Sequence, residues 1–383
     1  MSVPLIVVIV VLTALAFDFT NGFHDTANAM ATSIATGALK PKVAVAIAGV
    51  LNVVGAFLSV KVASTISSGI VDETKFSHTT GPYVVFGALI GAIIWNLITW
   101  YLGLPSSSSH ALFGGLIGAA WVAFGTGAVH FTTIVEKVII PAVASPLVAG
   151  VVAMIATYLA YTMTQRTRQD TVKRGFRAGQ TVSASLVALA HGTNDAQKTM
   201  GVITLTFIVA GIQPNGANPF WWVILLCGLA IGSGTYIGGW RIIRTLGKGI
   251  TDVETQQGFA AEASSAATIL ASSHLGFALS TTHVVSGGVI GSGLGRRLAE
   301  VRWSVAGKMA IAWILTLPAA AVVGALAGKA ASGGPTGTVI VALVGIIIGG
   351  GIFAASRRNP VNAKNVNDAK TLSPTPEPAE VGA

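Results

Sequence analysis

The sequence predicts an all-α polytopic membrane protein made of two inverted repeats, with interrupted helices and re-entrant hairpins. Three observations predict it. Charged residues make up 10% of the 383 and hydrophobic residues 52%, whereas an average soluble domain is about a quarter charged. Apolar runs long enough for a bilayer-crossing helix, about 20 residues, recur from one end to the other. The chain also matches itself at a shift of roughly 170 residues, with a second match that keeps nearly the same spacing.

The composition excludes a soluble enzyme, a nucleic-acid-binding protein and a disordered chain. The mean hydropathy is +0.72, and no soluble core hides that much apolar surface. The net charge of +9 comes from Lys and Arg in short connectors, where they act as topology determinants under the positive-inside rule. The partner this implies is the lipid bilayer, with no nucleic acid. Cys227 is the sole cysteine, so no intrachain disulfide forms. No cofactor is expected.

Taken in order, the apolar runs are 3–20, 42–65, 82–104, 111–125, 138–162, 180–192, 200–212, 220–240, 258–272, 284–294, 303–327 and 336–355. Met1 to Phe17 lacks a basic leading region, so it reads as a membrane helix rather than a signal peptide. Some runs are too short to cross alone and fall in pairs around polar motifs: 3–20 with 26–38, 180–192 with 200–212, and 258–272 with 284–294. Such pairs predict interrupted helices or re-entrant hairpins, tolerated at membrane depth only where buried or lining a cavity. The first repeat is assigned to 1–162 and a basic cytoplasmic connector to 163–179. The second repeat takes 180–327, an additional C-terminal transmembrane helix 328–355, and a disordered tail 356–383. Basic connectors at 163–178, 241–250 and 295–302 face the cytoplasm, while the uncharged connector 211–222, with Phe220, Trp221 and Trp222, suits the outer interface. Lys40 and Lys42 then place the N-terminus outside, and Arg357 and Arg358 favour a cytoplasmic C-terminus.

The self-match lays Gly22-Phe23-His24-Asp25-Thr26-Ala27-Asn28-Ala29-Met30 over Gly192-Thr193-Asn194-Asp195-Ala196-Gln197-Lys198-Thr199-Met200. It also lays Ser107-Ser108-Ser109-His110 over Ser280-Thr281-Thr282-His283. The first half starts from outside and the second from the basic connector, inside. This is the inverted plan of secondary transporters, whose site lies between the repeats.

Asp25 and Asp195 are ionisable groups inside apolar surroundings, which mark a cation or proton site or, more plainly, a tie between helices. Asn28 shares a helical face with Asp25, and carboxylate plus amide oxygen suits a small hard cation, so Asp25 and Asn28 are the candidate sodium ligands. Lys198 stands at the matching place in the second half, where an ammonium substitutes for a metal ion; it pairs with Asp195, attracts an anion, or snorkels to the surface. The hydroxyl runs Ser106–Ser109 and Ser280–Thr282 precede helical patterns. They are N-caps, or they surround an anion with hydroxyls and helix N-termini. Ser107, Ser108, Ser109, Ser280, Thr281, Thr282 and Lys198 are therefore the candidate anion ligands. Asp25, Asn28, Asn194 and Asp195 are the candidate coupling residues. His24, His110, His283, Glu262 and Gln197 are secondary candidates, and Asn52 a further polar lining residue.

These motifs resemble those of the PiT family of inorganic phosphate transporters. Asn21-Gly22-Phe23-His24-Asp25-Thr26-Ala27-Asn28-Ala29 and His191-Gly192-Thr193-Asn194-Asp195-Ala196-Gln197-Lys198 are similar to its duplicated Asn-Asp motifs. Ser280-Thr281-Thr282-His283 is similar to its Ser-Thr-Thr-His motif, with Ser107-Ser108-Ser109-His110 as the first copy. The resemblance covers about residues 10–350. It implies import of inorganic phosphate, and of arsenate, driven by a cation gradient, with the Asp and hydroxyl motifs binding cation and phosphate. Two departures, His24 for the first Asn and Lys198 for the Asn after the second Asp, resemble the bacterial low-affinity, proton-coupled branch. The expectation is a proton-coupled phosphate symporter of a bacterial plasma membrane, not an enzyme, compatible with a homodimer. Its rivals are a sodium-coupled symporter, a sulfate permease of the same fold, a passive channel, and an intramembrane hydrolase using Ser109 with a His. The last is disfavoured because Ser109 and His110, adjacent on one helix, point apart.

Overall fold

The computed structural model describes residues 4–296 and 301–368. The described residues are helical, with no strands beyond one isolated bridge between Val71 and Val129. The long helices are α1 (Leu5–Ala35), α4 (Gly81–Leu102), α7 (Ile140–Thr164), α8 (Gln169–Val209), α11 (Thr255–His274), α13 (Trp303–Ala331) and α14 (Pro335–Ser356). Shorter ones are α2 (Pro41–Ala56), α3 (Lys61–Gly69), α5 (Ser108–Phe124), α6 (Phe131–Ile134), α9 (Trp221–Ile237), α10 (Trp240–Arg244) and α12 (Thr281–Gly295). Among the described residues, five helical runs are long and apolar enough to cross a membrane, or up to seven if each bent pair counts as one span.

The order of elements runs twice. Each half has a long helix (α1; α8), then a bent pair (α2–α3; α9–α10), then a hairpin (α4–α5; α11–α12), then a long apolar helix (α7; α13). α2 and α3 meet at 68°, and α9 and the run Trp240–Gly249 at 61°. The hairpin tips share one design. Gly103, with φ 66°, ends α4, and Gly276, with φ 74°, follows α11. Only a residue without Cβ enters this left-handed turn freely. The halves exchange partners: α5 packs on α13 while α12 packs on α7, and α1 packs on α9 while α8 packs on α2.

Three expectations are corrected. The runs 3–20 and 26–38 belong to one unbroken α1, and 180–192 and 200–212 to one unbroken α8. Neither motif contains proline or positive φ, and most of its polar groups bond to neighbouring helices, so the helix has no reason to break. The breaks fall instead in 42–65 and 220–240. Of the tail assigned to disorder, residues 357–368 lie against the fold. Arg241 donates to the carbonyls of Ser356 and Asn359, Arg244 donates to that of Asn365, and Val366 is buried. Residues 369–383 lie outside the described residues.

The packing sets a polar layer inside an apolar body. Along α1, Ile6, Val7, Val10, Ala14 and Phe17 join one apolar cluster, and Ala27, Met30, Ala31 and Ile34 another. Along α8, Ala184, Val187 and Ala190 lie in the second cluster, and Ala196, Met200 and Ile203 in the first. Between the clusters, both helices present their motif residues.

Candidate functional site

The site is built where α1, α8 and the two hairpin tips converge. Asp25, 1% exposed, receives three donors: His24 Nδ1 at 2.6 Å and the Thr282 hydroxyl at 3.4 Å on Oδ1, and the Ser108 hydroxyl at 2.6 Å on Oδ2. Ser108 comes from the tip of the first hairpin and Thr282 from that of the second. Asp195 mirrors this arrangement. Lys198 Nζ pairs with its Oδ1, the Thr281 hydroxyl donates to Oδ2 at 3.1 Å, and His191 Nε2 lies 3.0 Å from Oδ2. Lys198 also donates to Ser109 Oγ at 2.5 Å. Asp25 is thus tied directly to both halves, and Asp195 reaches the first half through Lys198 and Ser109.

Asn28 donates from Nδ2 to the hydroxyls of Thr281 (3.3 Å) and Thr282 (3.0 Å), while its Oδ1 has no partner. Asn194 donates to Ser273 Oγ at 2.9 Å and also leaves Oδ1 free. A buried carbonyl oxygen without a donor is costly and ready for a cation. Ligand atoms of Asp25, His191 and Asp195 lie within 4.8 Å of one another, a spacing that could hold a small cation.

The hydroxyl runs divide their labour. Ser107 and Ser280 are N-caps, accepting from the backbone N–H of His110 (3.1 Å) and His283 (3.3 Å). Ser108, Ser109, Thr281 and Thr282 face the carboxylates and Lys198. Ser106 stands behind them, donating to Thr99, which lies 3.2 Å from His24 Nε2.

The secondary candidates separate. His24 belongs to the centre. His110 and His283 meet edge-on, ring centroids 4.9 Å apart. This contact brings the hairpin tips together, and both rings line an apolar cavity of about 720 Å³ with Pro146 and Trp313; His283 Nδ1 bonds to the Ala142 carbonyl rather than to a carboxylate. Gln197 accepts from the first backbone N–H groups of α3, Val62 at 2.8 Å, and so caps that helix. Glu262 forms its own buried cluster with Thr32, Gln180 and Ser183. Asn52 donates to Thr235 and lies 3.2 Å from His191 Nδ1. Sequence reasoning missed His191 as a site residue. Its signal was the four-residue spacing to Asp195, which places both on one helical face.

This arrangement presents hydroxyls, two helix N-termini and one ammonium, all suited to an oxyanion, beside two carboxylates suited to a cation. Residues 21–324 match the model of the phosphate transporter family. A Mycobacterium tuberculosis protein called "Probable low-affinity inorganic phosphate transporter" is 53% identical over 365 residues, covering 94% of this chain and 87% of that protein. A Bacillus subtilis protein of the same description is 42% identical over 323 residues, covering 84% and 96%. Among solved structures, one titled "The sodium-dependent phosphate transporter" matches with a TM-score of 0.71 at 26% identity, covering 84% of this chain and 97% of that one.

Proposed function

The chain belongs to the phosphate transporter family, and on that premise we propose that it imports inorganic phosphate across a bacterial plasma membrane in symport with protons. The observation that carries this reading is the shared centre: Asp25 accepts from Ser108 and Thr282 of the two hairpin tips, Asp195 accepts from Thr281 and pairs with Lys198, and Lys198 in turn donates to Ser109 of the first tip. Phosphate enters between the tips, where Ser108, Ser109, Thr281 and Thr282 donate and accept around it. Lys198 supplies the fixed positive charge. Its ammonium is held by Asp195, so phosphate competes with a carboxylate for it. Charge neutralisation of the carboxylates by the coupling cation releases Lys198 to the anion. The loaded, neutralised centre then passes to the other side as one inverted half moves against the other. Arsenate, a tetrahedral oxyanion of similar charge, follows the same route.

Sodium coupling is the second reading, favoured by the free Asn28 Oδ1 beside Asp25. Uptake of labelled phosphate into proteoliposomes separates the two. An inward proton gradient is expected to drive accumulation above the no-gradient level without sodium. Accumulation with sodium alone would reverse the assignment. Asp25→Asn and Asp195→Asn are each expected to abolish accumulation; normal uptake in both would remove the carboxylates from transport. Excess arsenate should compete and sulfate should not.

A further inference from the structure

A third carboxylate lies outside the centre. Asp18 on α1 is 0% exposed, and both its oxygens lack a hydrogen-bond partner. It stands seven residues before Asp25, about 10 Å along the helix axis, toward the end of α1 expected to face outside. Beside it the side-chain atoms of Asn21 and the Thr199 hydroxyl are also buried and unpartnered, and on α4 so are both side-chain atoms of Asn96. Asn21 follows Asp18 by three residues on the same face, and Thr199 of α8 lies beside Asp18. α1 and α4 run in the same direction, with Ile9–Ala16 beside Phe86–Ile94 and His24 bonded to Thr99. Asn21 and Asn96, each three residues earlier on its helix, therefore stand at one level.

The contrast with the centre is chemical. Asp25 has three hydrogen-bond donors, and Asp195 has an ammonium, a hydroxyl and an imidazole nearby. Both are provided for as anions. Asp18 has no hydrogen bond of good geometry, with only the neutral Thr199 and Asn21 side chains beside it, and a carboxylate anion so weakly supported at this depth is costly. A carboxylic acid fits instead: its O–H has the Thr199 hydroxyl and the Asn21 carbonyl oxygen as acceptors, and its carbonyl oxygen can take an Asn N–H. The charged and titratable groups nearby are Asp195 and Lys198 on α8 and the Cys227 thiol on α9. α4 contributes the neutral Asn96.

We propose that Asp18 is a third coupling carboxylate, holding the transported proton in this conformation while Asp25 and Asp195 are occupied by their donors. The step is one proton gained by the carboxylate from the outer side and one proton given up inward, with no other bond changed. The inference rests on the proton-coupled reading above.

The test uses the full chain in proteoliposomes with a trapped pH indicator. In Asp18→Asn, phosphate-dependent acidification of the lumen and gradient-driven accumulation are expected to fall at least tenfold. Exchange of labelled for unlabelled phosphate should stay within twofold, because it needs no net proton movement. Asp18→Glu should restore coupling. The infrared carbonyl band of a protonated carboxyl should be present in the wild type and missing in Asp18→Asn. Thr199→Val, which removes an acceptor of the acid, should shift the pH dependence of accumulation and spare exchange. Retained acidification in Asp18→Asn overturns the proposal, as does loss of exchange together with accumulation, which makes Asp18 structural. If the wild type itself shows no phosphate-dependent acidification, the proton-coupled reading fails, and this inference with it, before any variant is compared.

Discussion

Lys198 shows how a single residue sets the balance of the centre. It is a fully buried lysine, 1% exposed, and its charge is met by Asp195 and Ser109 alone. Removing one partner of a buried ion pair leaves the other uncompensated, at a cost of about 3–5 kcal/mol, whereas removing both can be nearly neutral. Lys198→Met is therefore expected to lower the thermal unfolding temperature in detergent clearly, and Asp195→Asn/Lys198→Met to recover most of the loss without recovering transport. A double variant as unstable as the single one would show that Lys198 acts through packing. Much of the centre was legible at this scale, because Asp25, Asn28, Asp195 and Lys198 repeat in register and are charged or polar where the chain is otherwise apolar. The division inside each hydroxyl run was not. Ser107 and Ser108 are adjacent and chemically alike, yet one closes a helix end and the other reaches Asp25; only the backbone turn at the tip separates them. Asp18 lay beyond reach for a related reason. A lone acid in an apolar run shows its function only through what fails to surround it.

Helix contacts repeat the same duplication in glycine. Gly114 and Gly118 of α5 lie against the backbone at Leu317 and Ala321 of α13, and Gly287 and Gly291 of α12 against that at Pro146 and Gly150 of α7. Both are small-xxx-small faces, which let membrane helices approach backbone to backbone. A Cβ at Gly118 or Gly291 would overlap a backbone carbonyl oxygen, so the helices themselves must part. Gly118→Ala and Gly291→Ala are each expected to destabilise by about 1–3 kcal/mol, the usual scale of overpacking. Gly350→Ala, with nothing within 4 Å of the added carbon, should stay within about 0.5 kcal/mol of the wild type. Equal unfolding temperatures for all three would mean the hairpins are not held by these contacts. The helices themselves followed from apolar length, but their breaks did not. Polar residues at 21–28 and 191–199 suggested interruptions, and α1 and α8 run straight through. A helix satisfies its own backbone, and polar side chains need only polar neighbours, which a second helix supplies. The bend after α9 falls on the pair Gly238-Gly239, a helix-breaking signal that the apolar count passed over, while the bend after α2, at Phe57–Val60, falls in a segment whose composition gives no such sign.

At the scale of the whole molecule, the reciprocal packing of the halves is what a twofold repeat requires, whichever way its axis runs. α5 reaches across to α13 as α12 reaches across to α7, and the two tips meet at His110 and His283. If the halves are related by an axis in the membrane plane, equivalent ends of α1 and α8 open on opposite faces. The loop after α1 and the first turn of α2 carry Lys40 and Lys42, while the stretch from Gly211 to Trp222 after α8 carries no charge, the asymmetry that the positive-inside rule assigns to cytoplasm and exterior. Lys40→Cys and Asn215→Cys, both at exposed positions, place one thiol on each loop once Cys227 is replaced by Ala. A membrane-impermeant maleimide added to intact cells is expected to label Asn215→Cys and to reach Lys40→Cys only after permeabilisation. Labelling of both from the same side would make the repeats parallel. The two hairpin tips would then enter from one face, and a pocket shared between them could not alternate its access by exchanging the roles of the halves.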